Sequence, residues 1–124
     1  MDNFKTNKEN IIQYLKSGCK PCDMPLQFGV ELEHFVVKKD TKEAVSYYGE
    51  NGVEAILTKL KPFYEESAYS EGHLIALGRE GIALSLEPAA QLEVSISPQT
   101  DIGAIHAIYE RFLREITPIL KEHA

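Results

Sequence analysis

Cysteine and arginine are scarce in this 124-residue chain. Its two cysteines, Cys19 and Cys22, cannot frame a small disulfide-stapled fold, so reduced thiols and a cytoplasmic setting are the default. Thirteen Lys and Arg stand against nineteen Asp and Glu, for a net charge of −6. That balance leaves no basic face of the kind a nucleic-acid binder presents to phosphates, although a bound divalent cation could reverse the sign locally. No apolar run approaches the roughly 18 residues of a membrane span, so no membrane partner is expected. Residues 1–18 hold no apolar block with a small-residue cleavage site, and no secretory leader is expected in them. Internal repeats and low-complexity tracts are absent. So are the Gly-x-x-x-x-Gly-Lys-Ser/Thr loop and the Gly-x-Gly-x-x-Gly turn that cradle phosphates.

What is there suits one domain, residues 1–124, of a soluble protein with 26% charged and 44% hydrophobic residues. Area scaling predicts a folded surface of about 6,700 Å² against about 20,000 Å² for the unfolded chain. A first helix is expected from a cap at Thr6 or Asn7 through Lys16, with Ile11, Ile12 and Leu15 on one face and Gly18 ending it. Two prolines make residues 19–25 a loop. Residues 27–37 read as a strand, Asp40-Thr41 as a turn, and residues 44–47 as a return strand. Asn51 looks like a helix cap with Glu54 reciprocating, and Val53, Ile56, Leu57 and Leu60 keep helical spacing up to Pro62. Strands at 73–77 and 82–86 are joined by a hairpin over Gly78-Arg-Glu-Gly81. After Pro88-Ala-Ala, residues 91–97 alternate cleanly. A long helix then follows a cap at Thr100 or Asp101, with Ile102, Ile105, Tyr109, Phe112, Leu113 and Ile116 as its apolar stripe and a bend near Pro118. The order predicts an α+β fold: an antiparallel sheet with helices packed on one face.

The facing of the acids is the informative pattern. Alternate residues of a strand share a face. Phe28, Val30, Leu32 and Val36 therefore take one side, while Glu31 and Glu33 take the other, roughly 6.6 Å apart. Likewise Ser85 and Glu87 oppose Ile82, Leu84 and Leu86, and Gln91, Glu93, Ser95 and Ser97 oppose Leu92, Val94 and Ile96. If these strands are neighbours, Glu31, Glu33, Glu87 and Glu93 collect on one surface with Gln91 among them. Repulsion between Glu31 and Glu33 is about 2.5 kcal/mol at an effective dielectric of 20, and roughly 0.6 in open water. A solvated face tolerates that; a covered one needs cations, and all-carboxylate sites suit hard metals such as Mg²⁺. An ordinary solvent face remains the plain alternative.

The wording of these strands adds a resemblance. Phe28-Gly-Val-Glu-Leu-Glu-His-Phe35 resembles the Gly-x-Glu-x-Glu strand of the plant and bacterial glutamate–cysteine ligases. Leu84-Ser-Leu-Glu-Pro-Ala-Ala-Gln-Leu-Glu-Val-Ser-Ile-Ser-Pro98 is similar to their Leu-Glu-Pro-Gly-Gly-Gln-x-Glu-Leu-Ser run, with Ala89-Ala90 in place of two glycines. The resemblance covers most of this chain but only the amino-terminal part of the family's catalytic domain. It implies a glutamine-synthetase-like sheet whose concave face holds Mg²⁺ and ATP. It further implies activation of the γ-carboxylate of L-glutamate as an acyl phosphate, displaced by the amine of L-cysteine, the first step of glutathione biosynthesis. On matching positions Glu31, Glu33 and Glu93 are implied metal ligands, Glu87 a metal or substrate-site carboxylate, and Gln91 a substrate-site residue. The cations that phosphoryl transfer demands are few: Arg79 in a hairpin, and Arg111 and Arg114 on the last helix. An incomplete enzyme, inactive alone, is therefore expected, its sheet edge prone to associate with a second chain or another copy. The alternative is a non-catalytic metal- or partner-binding remnant of the same fold.

Other features carry plainer readings. Cys19-Lys-Pro-Cys22 suggests thiol redox chemistry, but no helix starts behind the pair to lower a thiol pKa, so incidental loop thiols are expected. His34 lies on the apolar side of its strand and reads as a core or edge residue, and His106 as a packing residue. His73, opening a strand, is a candidate for positioning, and Tyr47-Tyr48-Gly49-Glu50 reads as a turn with exposed aromatics.

Overall fold

The strands are β1 (Phe28–His34), β2 (Glu66–Ser70), β3 (His73–Arg79), β4 (Ile82–Glu87) and β5 (Gln91–Gln99). The helices are α1 (Asn3–Ser17), α2 (Val53–Leu60) and α3 (Ile102–Glu122), in a computed structural model that describes residues 3–122. All neighbours pair antiparallel, in the order β1-β5-β4-β3-β2. Helices α2 and α3 cover one face, which is the expected α+β arrangement. Ile56, Leu57 and Leu60 of α2 and Ile105, Phe112, Ile116 and Ile119 of α3 close over Leu77, Ile82, Leu84, Leu92, Val94 and Ile96. Among the described residues no helix covers the opposite face, so the alternation sends every second side chain of β4 and β5 to an open surface.

Several expectations need correction. Helix α1 begins by Asn3, so Thr6 and Asn7 lie inside it rather than capping it, and it buries none of its residues. The Ile11, Ile12 and Leu15 face is at least 38% exposed throughout. Strand β1 stops at His34; beyond it Val37 bridges Ala44, and the Val45 amide donates to the Val36 carbonyl at 2.9 Å, a short return hairpin. The cap of α2 is Gly52 and not Asn51. A Cβ at position 52 would lie 2.5 Å from the Tyr47 carbonyl oxygen, so only glycine fits there. Glu54 turns away to β3 instead of reciprocating a cap.

Strand β2 appears where the sequence promised none, joined to β3 through Glu71-Gly72 with positive φ at both residues (51° and 86°), as a type I′ hairpin requires. The next hairpin turns on Glu80-Gly81 alone, because β3 runs on to Arg79, which pairs with Ile82. Asp101 caps α3 as expected, accepting from the amides of Gly103 at 2.7 Å and Ala104 at 3.3 Å, a contribution of about 1 kcal/mol. Within α3, Ile102 is 66% exposed and outside the stripe, and His106 is exposed rather than packed. The helix continues through Pro118 to Glu122.

Candidate active site

Register assembles the predicted acids. Glu31 pairs with Ser95 and Glu33 directly with Glu93, while on the other side of β5, Ser85 pairs with Glu93 and Glu87 with Gln91. These are three successive rows on the open face, each roughly 7 Å from the next, two strand rises along. Glu31, Glu33, Glu87, Gln91 and Glu93 thus share one surface, Glu31 and Glu33 exposed and the other three half-buried. They do not converge on one point: among the described residues no group of three His, Cys, Asp or Glu side chains is placed to hold a metal ion.

The centre of the array is Glu93. Its Oε1 accepts from the Ser85 hydroxyl at 3.0 Å and the Ser95 hydroxyl at 2.9 Å. Two neutral donors fix the carboxylate without neutralising it, and Glu33 stands opposite. Like charges directly across a ladder are destabilising.

Beside this array lies a trough of about 730 Å³ whose floor the sequence did not foretell. One row of register builds it: Glu31, Ser95, Ala83, Gly78, Glu66, from one edge of the sheet to the other. The three middle residues are small, so the floor is low. The Glu66 carboxylate lies over Gly78, 3.1 Å from where a Cβ would stand. Glu65 and Glu80 line the rim. Glycine within a strand marks a close approach of this kind, and Gly78 is the signal that could have found the trough.

The cations lie elsewhere. Arg79 sends its guanidinium to the helix-covered side, donating to Glu115 at 2.8 Å and to the Phe63 carbonyl at 3.1 Å, over the Tyr64 ring at 4.5 Å. Arg111 reaches the same Glu115 oxygen at 3.0 Å, and Arg114 pairs loosely with Glu110 at 3.9 Å. Arg79 lines the trough, but its guanidinium is engaged on the helix-covered side.

Two histidines position strands. His34 packs beneath β1, its Nδ1 3.1 Å from the Leu92 carbonyl and its Nε2 2.8 Å from the Tyr109 hydroxyl. A carbonyl only accepts, so Nδ1 carries the hydrogen and Nε2 accepts from Tyr109. His34 is a structural histidine, as its apolar side suggested. His73 bonds through Nδ1 to both Glu54 oxygens at 3.1 Å, and the Leu74 amide donates to the same carboxylate at 3.2 Å. Burial pushes Glu54 up, but the Leu74 amide and His73 outweigh it and hold the carboxyl below its ordinary 4.5. Tyr47 and Tyr48 pack edge-on against His73, and the Tyr47 hydroxyl donates to the Leu74 carbonyl at 2.8 Å. Tyr48 alone of the pair is largely exposed. Cys19 and Cys22 are exposed free thiols on the loop after α1.

The connector from β4 to β5 bears on the site because it joins Glu87 to Gln91. Ala89 and Ala90 have φ of 63° and 57°, the left-handed region. Non-glycine residues pay roughly 1–2 kcal/mol each there, which is why glycines suit these two positions.

No helix among the described residues is long and apolar enough to cross a membrane. A family model described as glutamate-cysteine ligase family 2 (GCS2) matches residues 27–124. Glutamate–cysteine ligase A, chloroplastic, of Oryza sativa subsp. japonica is 33% identical over 92 residues, 73% of this chain and 18% of that protein. Glutamate–cysteine ligase B of the same plant is 33% identical over the same length. The chloroplastic ligase of Arabidopsis thaliana is 28% identical over 116 residues, 93% of this chain and 22% of that protein. The chain thus spans about a fifth of the length of the curated relatives it matches.

Proposed function

Since the chain belongs to glutamate-cysteine ligase family 2, we propose that it supplies the anionic half of an ATP-dependent carboxylate–amine ligase site. The reaction joins the γ-carboxylate of L-glutamate, activated by ATP, to the amine of L-cysteine in a reducing, cytoplasmic setting. The observation that carries this reading is the three-row array of Glu31, Glu33, Glu93, Glu87 and Gln91 on the open face. Mg²⁺ ordinarily takes one or two carboxylates and completes its shell with water and phosphate oxygens. The opposed Glu33 and Glu93 fit that demand, with Glu31 one row away, and the all-oxygen donor set suits a hard cation. Glu33 and Glu93 would hold the ion, which would supply charge neutralisation for phosphate oxygens; Ser85 and Ser95 keep Glu93 oriented, and Glu87 with Gln91 would face the substrate end of the array.

Phosphoryl transfer also needs guanidinium or ammonium clamps, and this chain's arginines all serve its helix-covered side. The 124-residue chain alone is therefore inactive in this reading and needs cations from outside it. Calorimetric titration of ATP with and without Mg²⁺ tests the site. Nucleotide binding that requires metal, and that weakens at least about tenfold in Glu93→Gln, is the expected result. Equal ATP binding in excess EDTA would overturn the assignment. So would γ-glutamylcysteine formation by the isolated chain, for the incomplete-site part of the reading.

A further inference from the structure

Glu33 and Glu93 face each other across the β1–β5 ladder, but they are placed by different means. Glu93 is held at its own carboxylate by the hydroxyls of Ser85 and Ser95. The Glu33 side chain has no hydrogen-bond or ion-pair partner among the described residues. Its position opposite Glu93 is therefore set by the backbone of β1, and the residue that ties down this stretch of backbone is the next one, His34.

Both ring nitrogens of His34 are engaged: Nδ1–H donates to the Leu92 carbonyl at 3.1 Å, and Nε2 accepts from the Tyr109 hydroxyl at 2.8 Å. The Leu92 carbonyl and the Glu93 amide belong to one planar peptide unit. A single imidazole thus follows Glu33 directly in β1 and is hydrogen-bonded to the peptide that leads into Glu93 in β5. Behind it the Tyr109 ring stacks at 5.8 Å with 25° between the planes, and Phe112 closes at 6.1 Å. Phe112 is a fully buried member of the core, so the ring is seated in packed side chains of α3. With a donor and an acceptor both fixed, the imidazole has one orientation that keeps its two bonds.

We propose that His34 and Tyr109 are positioning residues that fix the spacing of the Glu33 and Glu93 carboxylates, and that this spacing favours Mg²⁺ over the larger Ca²⁺. The inference rests on the metal-site reading above and deepens it. Mg²⁺ demands near-ideal octahedral geometry at about 2.0–2.1 Å, whereas Ca²⁺ accepts looser shells at about 2.3–2.6 Å. Facing carboxylates repel. A pair free to splay apart suits the larger, more tolerant ion; a pair held at one spacing suits the smaller. Neither His34 nor Tyr109 touches the cation. Hydrogen-bond partners of metal ligands commonly change affinity about 10–100-fold when mutated. His34 acts one step further back, through the backbone, so a smaller effect is expected.

The test uses the 124-residue chain without nucleotide, and reads Mg²⁺ and Ca²⁺ affinities by displacement of Mn²⁺ followed through water-proton relaxation. Tyr109→Phe and His34→Leu are expected to weaken Mg²⁺ about three- to tenfold and Ca²⁺ less, so that the preference for Mg²⁺ falls. His34→Gln, which keeps a donor and an acceptor, should restore it. Ile116→Ala truncates a buried α3 residue about two turns beyond Tyr109; it should lower stability and leave the preference unchanged. A metal-free measurement separates the positioning from the ligase reading. In urea unfolding, the coupling between Glu33→Gln and Glu93→Gln reports their repulsion, and it should fall by about half or more in the Tyr109→Phe background. If the wild-type chain binds neither cation, the metal-site reading fails, and this coupling alone decides whether His34 and Tyr109 position the pair. An unchanged coupling, an unchanged preference in Tyr109→Phe and His34→Leu, or an equal loss of preference in Ile116→Ala would each overturn the proposal.

Discussion

Glu93 and Glu115 lie on opposite sides of one sheet and are held in opposite ways. Glu115 is 11% exposed and receives two guanidiniums, Arg79 at 2.8 Å and Arg111 at 3.0 Å. Glu93 receives two seryl hydroxyls and faces another carboxylate. The covered side neutralises its charge internally because nothing else reaches it. The open side leaves the facing charges of Glu33 and Glu93 unbalanced, which is what the proposed metal site requires. Structural and functional electrostatics are segregated by the sheet.

The largest test of that contrast is Arg79→Ala, which removes the buried partner of Glu115 and leaves it only the solvent-exposed Arg111. A loss of about 3–5 kcal/mol in urea unfolding is expected, with most of it recovered in Arg79→Met/Glu115→Leu. A small loss would mean that the covered side is wetter than its packing indicates. Next in size, Ala89→Gly and Ala90→Gly should each stabilise by about 1 kcal/mol, by relieving left-handed backbone between Glu87 and Gln91; destabilisation would show that the connector needs its methyl groups. Glu33→Gln should stabilise the chain by a few tenths to about 1 kcal/mol in metal-free buffer, by removing the charge opposite Glu93. Added Mg²⁺ should erase that advantage. Smallest of all is Tyr64→Phe, since the buried Tyr64 hydroxyl has no hydrogen-bond partner among the described residues; a change below about 1 kcal/mol is expected at neutral pH.

Tyr64 also supplies a pH signature. Burial pushes its hydroxyl up from 10.0 to about 12, with Arg79 pulling it down and Glu115 pushing it up. Between those values the unfolded chain has lost the proton that the folded chain keeps. Stability therefore falls as pH rises from 10 toward 12, and Tyr64→Phe should remove that slope.

The sheet was legible wherever one face was buried. Strands β1, β4 and β5 show period-two alternation because Leu32, Leu84 and Val94 point to the core and Glu31, Ser85 and Glu93 away from it. Strand β2 was not legible: all five of its residues are exposed, so no alternation marks it. With it went Glu66, and hence the far wall of the trough. In β3 a register shift opposite Ala68 and Tyr69 buries both Leu74 and Leu77, three residues apart, which breaks the period. The facing of the four glutamates could be read; their spread over three rows depends on register, which no local pattern encodes. Nor does helical periodicity say whether a neighbour exists. The face of α1 reads like a core face and is uncovered, while that of α3 is covered.

His34 and Glu33 are consecutive residues pointing to opposite sides of β1, and the imidazole is tied to the Leu92 carbonyl and the Tyr109 hydroxyl. The ring acts as a rivet through the sheet: it fixes the rotation of the strand about its own axis, and with it the aim of the neighbouring carboxylate. Repacking α3 around Tyr109 would loosen that tie, so the hidden side of the molecule would serve as an adjusting screw for the exposed one.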